Sequence, residues 1–157
     1  MRLFLVQHGN ALPKDVDPER GLSEMGKQDV ANVAAFLARG SVQVGRIFHS
    51  GKKRACKTAE LFRMCLIGDG HFDERDGIAP FDPVVDIAEE IQNLSKDTMF
   101  VGHLPFMGKL VAHLIAGNDD IGVVSFTPGT VVCLEQDGND IWSVAWVVRP
   151  ELLKSLN

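Results

Sequence analysis

Two short apolar runs, each ending on a histidine beside a glycine, constrain this chain more than any other feature. Leu3-Phe4-Leu5-Val6 leads into Gln7-His8-Gly9, and Met99-Phe100-Val101 leads into Gly102-His103. Consecutive apolar residues with aromatic and β-branched members leave no polar face, so each run reads as a strand buried on both sides. Such strands need helices above and below them, which points to an α/β fold with a mostly parallel sheet. Ligands of open α/β sheets gather at the carboxyl ends of the strands, where His8 and His103 stand. Gly9 lacks a Cβ, so the chain can turn there and other groups can come close to its backbone.

The remaining elements alternate in the same manner. Strand one covers about 2–7, followed by a polar loop from Asn10 to Leu22 that holds Pro13, Pro18 and Gly21. Ser23 suits an N-cap, and Val30, Val33, Ala34 and Leu37 recur at helical spacing before Gly40. Val44 to His49 reads as a second strand, and about Lys52 to Cys65 as a helix with Ala55, Ala59 and Phe62 on one face. Gly68 to Pro83 reads as an irregular acidic loop. A third helix is predicted over about 84–94 through Val84, Ile87, Ala88, Ile91 and Leu94. Strand three ends at His103. A fourth helix carries Met107, Leu110, Val111 and Leu114 before Gly117. Thr130 to Glu135 and Ile141 to Val148 flank Gln136-Asp137-Gly138-Asn139-Asp140, a turn-rich connection suited to a hairpin. The expected architecture is a three-layer sandwich with helices on both faces and a C-terminal antiparallel hairpin. Residues 1–157 are expected to form a single domain, with no repeat or linker.

Composition narrows the function classes. At 157 residues with 45% hydrophobic and 24% charged content, the chain has the make-up of a globular protein with a real core. A formal net charge of −5 disfavours bulk nucleic-acid binding, so an anionic ligand would need a local cluster of cations. Cys56, Cys65 and Cys133 are odd in number and lack CxxC spacing, which suggests reduced core thiols and a cytoplasmic protein. No signal-peptide signature and no bilayer-length apolar stretch are present, so no membrane association is expected.

The chemistry follows from the strand ends. A neutral imidazole is a good nucleophile toward phosphorus, and nearby cations keep it neutral while also holding phosphoryl oxygens. His49-Ser50-Gly51-Lys52-Lys53-Arg54-Ala55 supplies such cations after a strand and at a helix start, where unpaired N–H groups favour anions. Arg54 can grip phosphate bidentately. The catalytic candidates are therefore His8, Arg54 and His103; Gln7, Gly9 and Ser50, with Arg54 and His103, are candidates for substrate binding. Each has a plainer reading, a strand-end histidine being often structural and a basic run often a solvated helix start. His49, His71 and His113 read as structural.

Taken in order, Val6-Gln7-His8-Gly9-Asn10-Ala11, Arg20-Gly21-Leu22-Ser23-Glu24-Met25-Gly26, Ser50-Gly51-Lys52-Lys53-Arg54-Ala55-Cys56-Lys57-Thr58-Ala59 and Val101-Gly102-His103-Leu104-Pro105 resemble the histidine phosphatase superfamily, also called phosphoglycerate mutase-like. The short length and the His-Leu-Pro segment resemble its small branch, the SixA-type phosphohistidine phosphatases. The resemblance spans nearly the whole chain, including Arg149-Pro150. It implies that His8 is the phosphorylated nucleophile, Arg54 a phosphate-binding arginine and His103 the second pocket histidine. It implies a metal-independent phosphatase without a cofactor, acting on phosphohistidine of a signalling protein such as a histidine-phosphotransfer domain. A small phosphate ester is the other substrate class. No nucleic-acid partner is expected, and a monomer is.

One position departs from that pattern. The superfamily opens its motif with Arg-His-Gly, whereas this chain has Gln7 in place of the arginine. An amide can donate a hydrogen bond but carries no charge and no guanidinium fork. Losing one charged donor is worth about 2–4 kcal/mol of transition-state stabilisation, by analogy with oxyanion-hole deletions. Lys52 or Lys53 is a candidate to compensate, and Asp82 or Asp86 a candidate acid. The alternative reading is a weakened pseudophosphatase that binds phosphohistidine or phosphate without turnover. A metal hydrolase using His8, His103 and an aspartate is a third, with no HExxH or tight ligand cluster behind it.

Overall fold

The computed structural model describes residues 1–156. Six strands form one sheet: β1 (Arg2–Gln7), β2 (Arg46–His49), β3 (His71–Glu74), β4 (Thr98–Gly102), β5 (Val131–Gln136) and β6 (Trp142–Val148). Their spatial order is β3-β2-β4-β1-β5-β6. β3, β2, β4 and β1 run parallel, and β5 and β6 close the sheet as an antiparallel hairpin. The expected mixed α/β sandwich is the observed one.

Alternation along β1 shows why the sheet needs two helical layers. Phe4 and Val6 face a core shared with α1 (Glu24–Arg39) and α2 (Lys53–Leu66), while Leu3 and Leu5 face α3 (Val85–Gln92) and α4 (Phe106–Ala116). All four strand residues are 0% exposed, as a strand covered on both faces requires. A 3₁₀ helix, Pro150–Leu156, adds Leu153 to the α1/α2 side. The Ser23 hydroxyl accepts the Gly26 N–H at 3.0 Å, which satisfies one free donor of the first turn of α1.

Four expectations need correction. Residues 71–74 are not loop but an edge strand, paired in parallel with β2 from Arg46↔His71 to His49↔Glu74. Its sequence, His-Phe-Asp-Glu, is mostly exposed, so backbone pairing rather than burial forms it. The second strand begins at Arg46, because the Val44 N–H is taken by the Leu66 carbonyl at the end of α2. Of the cysteines only Cys133 lies in the core; Cys56 is half-buried and Cys65 exposed. Leu94 and Leu114 are only partly buried at the margin of the second core. Among the described residues no helix is long and apolar enough to cross a membrane.

Candidate active site

Parallel pairing decides where the two strand-end histidines meet. β1 and β4 are neighbours with Gln7 opposite Gly102, so His8 and His103 leave the same sheet edge side by side. The His8 N–H donates to the Gly102 carbonyl at 2.9 Å, and the ring centroids lie 5.1 Å apart. β2 flanks β4 on its other side, which brings Ser50 and the start of α2 to that edge.

The hydrogen bonds fix the state of the His8 ring. Its Nδ1 lies 2.7 Å from the Gly9 carbonyl, an acceptor only, so Nδ1 carries the proton. Arg54 Nε donates to His8 Nε2 at 3.3 Å, so Nε2 keeps its lone pair. Burial pushes the His8 pKa down to about 4, with the Arg54 and Arg20 charges acting in the same direction and the Gly9 carbonyl against them. His103, 1% exposed, is pushed down to about 3 by burial and then by His8, Arg54 and Lys52. Both rings are neutral at pH 7. Ser50 Oγ meets His103 Nε2 at 2.6 Å, so the serine touches the second histidine directly.

Support comes from behind the turn. The Gly9 N–H donates to Thr58 Oγ1 at 2.9 Å, and Thr58 Oγ1 donates to the Arg54 carbonyl at 2.8 Å. This fully buried threonine ties the end of β1 to the helix that carries Arg54. A Cβ on Gly9 would lie 2.7 Å from Val30 Cγ2, so α1 packs directly on the turn. Both polar backbone groups of Gly9 are therefore engaged in positioning.

The remaining candidates separate. Gln7 is 9% exposed, and its buried Oε1 has no hydrogen-bond partner. Lys53 does not reach toward the histidines: its Nζ pairs with Asp17 at 2.9 Å and Glu19 at 3.7 Å. Lys52 is exposed and lines the groove beside Arg54. Asp82 Oδ2 accepts the Ala79 N–H at 2.8 Å and Asp86 sits exposed in the first turn of α3, so neither stands out as an acid. His49 is buried, accepting the Gly51 N–H and leaning on Phe72. His113 pairs with Asp119, and His71 is exposed on β3.

Sequence reasoning missed Thr58 and Arg20 as members of the site. A lone threonine inside a helix gives no local signal. Arg20 lies in a polar loop, yet it shares a groove of about 470 Å³ with Arg54, Lys52 and Lys14. The one available hint is that both Thr58 and Arg20 stand in the ordered motif string.

The sheet order and its two helical layers give the phosphoglycerate mutase-like fold, with two neutral histidines and a guanidinium gathered at one strand edge. No protein-family model matches the chain. It is 27% identical to the phosphohistidine phosphatase SixA of Escherichia coli K12, over 98% of this chain and 97% of that protein. It is 28% identical to the SixA homolog of Haemophilus influenzae, over 88% of this chain and 90% of that protein. The solved structure of the protein histidine phosphatase SixA complexed with tungstate superposes with a TM-score of 0.85 at 24% identity, covering 98% of this chain and 100% of that one. A phosphoserine phosphatase of Entamoeba histolytica in complex with 3-phosphoglyceric acid shares the fold with a TM-score of 0.70 at 14% identity, covering 94% and 96%. Across nearly its whole length the chain is similar to SixA-type phosphohistidine phosphatases, and it shares the fold of the solved SixA structure.

Proposed function

We propose that this chain is a phosphohistidine phosphatase working through a phosphorylated His8. The observation that carries this reading is the His8 ring itself, with Nδ1–H bound to the Gly9 carbonyl and Nε2 left unprotonated beside Arg54. His8 Nε2 attacks phosphorus, the Nε2–P bond forms, and the P–N bond to the substrate imidazole breaks. A substrate ring protonated on its second nitrogen leaves as neutral imidazole, so no strong acid need be supplied. Water then attacks phosphorus, the Nε2–P bond breaks and inorganic phosphate departs. Arg54 and His103 hold the phosphoryl oxygens through both steps, with Ser50 positioning His103.

The substrate most in keeping with the site is a phosphohistidine on a protein, such as a histidine-phosphotransfer domain. Between Arg54 and His103 the chain adds no further domain: the rest of α2, β3, α3 and β4 are joined by short connections, the longest being residues 75–84, which favours an accessible groove. A small phosphate ester fits the same chemistry with less use of that access.

The test is direct. Incubation with a phosphohistidine protein or with phosphoramidate, followed by an alkaline quench, is expected to trap acid-labile phosphate on His8. His8→Ala is expected to abolish both the adduct and turnover. Tight oxyanion binding with no adduct and no turnover would instead identify a binding module without catalysis.

A further inference from the structure

Gln7 leaves the phosphate site one guanidinium short, and a loop supplies another from a distant part of the chain. We infer that Arg20 is a second phosphoryl-binding arginine, gripping the same oxyanion as Arg54 from the opposite wall of the groove. The inference rests on the phosphatase reading above for its catalytic consequence, but not for anion binding.

Three observations carry it. Arg20 and Arg54 line one groove together with Lys14, Lys52, Lys53 and a single carboxylate, Glu19, which lies 3.7 Å from the Lys53 ammonium. Among the described residues neither guanidinium is paired with a carboxylate, as is also true of Arg39, Arg46 and Arg63, but only these two face a common groove. Two uncompensated cations facing one cavity repel each other, and a dianion between them relieves the repulsion. Burial chiefly lowers the pKa of Arg54 and of His8, and the Arg20 charge adds to it at both, so its guanidinium acts on the groups of the site.

The backbone at Arg20 is held in place for this role. Its φ of +52° lies in the left-handed region that a non-glycine residue seldom adopts, and such outliers gather at ligand-binding positions. The conformation is fixed from both sides. Arg20 Nε donates to the Leu12 carbonyl at 3.1 Å, which aims the side chain and leaves its two terminal nitrogens for a ligand. Asp17 takes the Gly21 N–H at 2.8 Å and the Lys53 ammonium at 2.9 Å. A Cβ on Gly21 would lie 3.0 Å from Lys53 Cε, so the loop lies against the stem of Lys53, one residue before Arg54. Lys53 thus compensates for Gln7 indirectly, by docking the loop that carries Arg20.

Tungstate binding measured by calorimetry, with kcat/KM on phosphoramidate in parallel, tests the inference. Arg20→Gln is expected to weaken tungstate binding roughly 10- to 100-fold and to lower kcat/KM by about 10²–10³. Gln7→Arg is expected to recover most of the loss on the Arg20→Gln background and to gain far less on the parent. Parent-like tungstate affinity in Arg20→Gln, or an equal gain from Gln7→Arg on both backgrounds, overturns the assignment. Should Arg20→Gln not fold, Arg20→Lys carries the test: it keeps the charge but loses the fork, so an affinity equal to the parent's overturns the assignment. A parent that forms no phosphoenzyme sinks the phosphatase reading alone, because the tungstate measurement needs no turnover.

Discussion

At the scale of single residues, the unusual feature is a nucleophile candidate kept neutral by its surroundings rather than by solution pH. An ordinary histidine is half protonated near pH 6.5, whereas His8 and His103 are pushed down to about 4 and about 3, chiefly by burial. Ring signals followed by NMR are therefore expected to show both imidazoles neutral at pH 5.5; titration near 6.5 would contradict the burial argument. The same shifts set a stability trend. The unfolded chain takes up protons on these rings below about pH 6.5, while the native state does so only near 4 and 3. Their contribution to stability is complete above pH 6.5 and is lost as pH falls through that window. A falling Tm between pH 6.5 and 4, less steep in His103→Gln, is the expected result.

Among elements, the site depends on how β1 is tied to α2. Thr58 bridges the Gly9 N–H and the Arg54 carbonyl, so a single hydroxyl couples the nucleophile turn to the phosphate-binding helix. Thr58→Val keeps the shape and removes the acceptor, leaving a buried N–H unsatisfied. The expected loss is about 1–3 kcal/mol of stability by denaturant titration, with a fall in kcat as the turn loosens. Unchanged kcat would mean that the packing of Val30 against Gly9 holds the turn alone. β3 makes the opposite point. Its exposed His-Phe-Asp-Glu segment has no apolar run for periodicity to detect, and it becomes a strand only because the free edge of β2 accepts its backbone. Local pattern reports burial, and an exposed edge strand has little to report.

For the molecule as a whole, two cores share one sheet: β1 and β4 place alternate residues in each. Loss of either helical layer uncovers the same strands, so thermal unfolding is expected to be one cooperative transition, with calorimetric and van't Hoff enthalpies equal. Two separate transitions would instead indicate that the layers fold independently. The apolar runs at 3–6 and 99–101 were enough to specify buried strands, a two-sided helical cover and the location of chemistry at their carboxyl ends. Helical spacing likewise specified α1 to α4 to within a few residues. What only the tertiary structure decided is which ends become neighbours. The placement of β4 between β1 and β2 brings His8, His103 and Ser50 together, and loop docking through Asp17 and Lys53 brings Arg20 to Arg54. The physical reason is that periodicity records how deeply each residue is buried along its own element. Strand order, ring tautomer and a left-handed loop residue arise from contacts between segments tens of residues apart, which no local pattern contains.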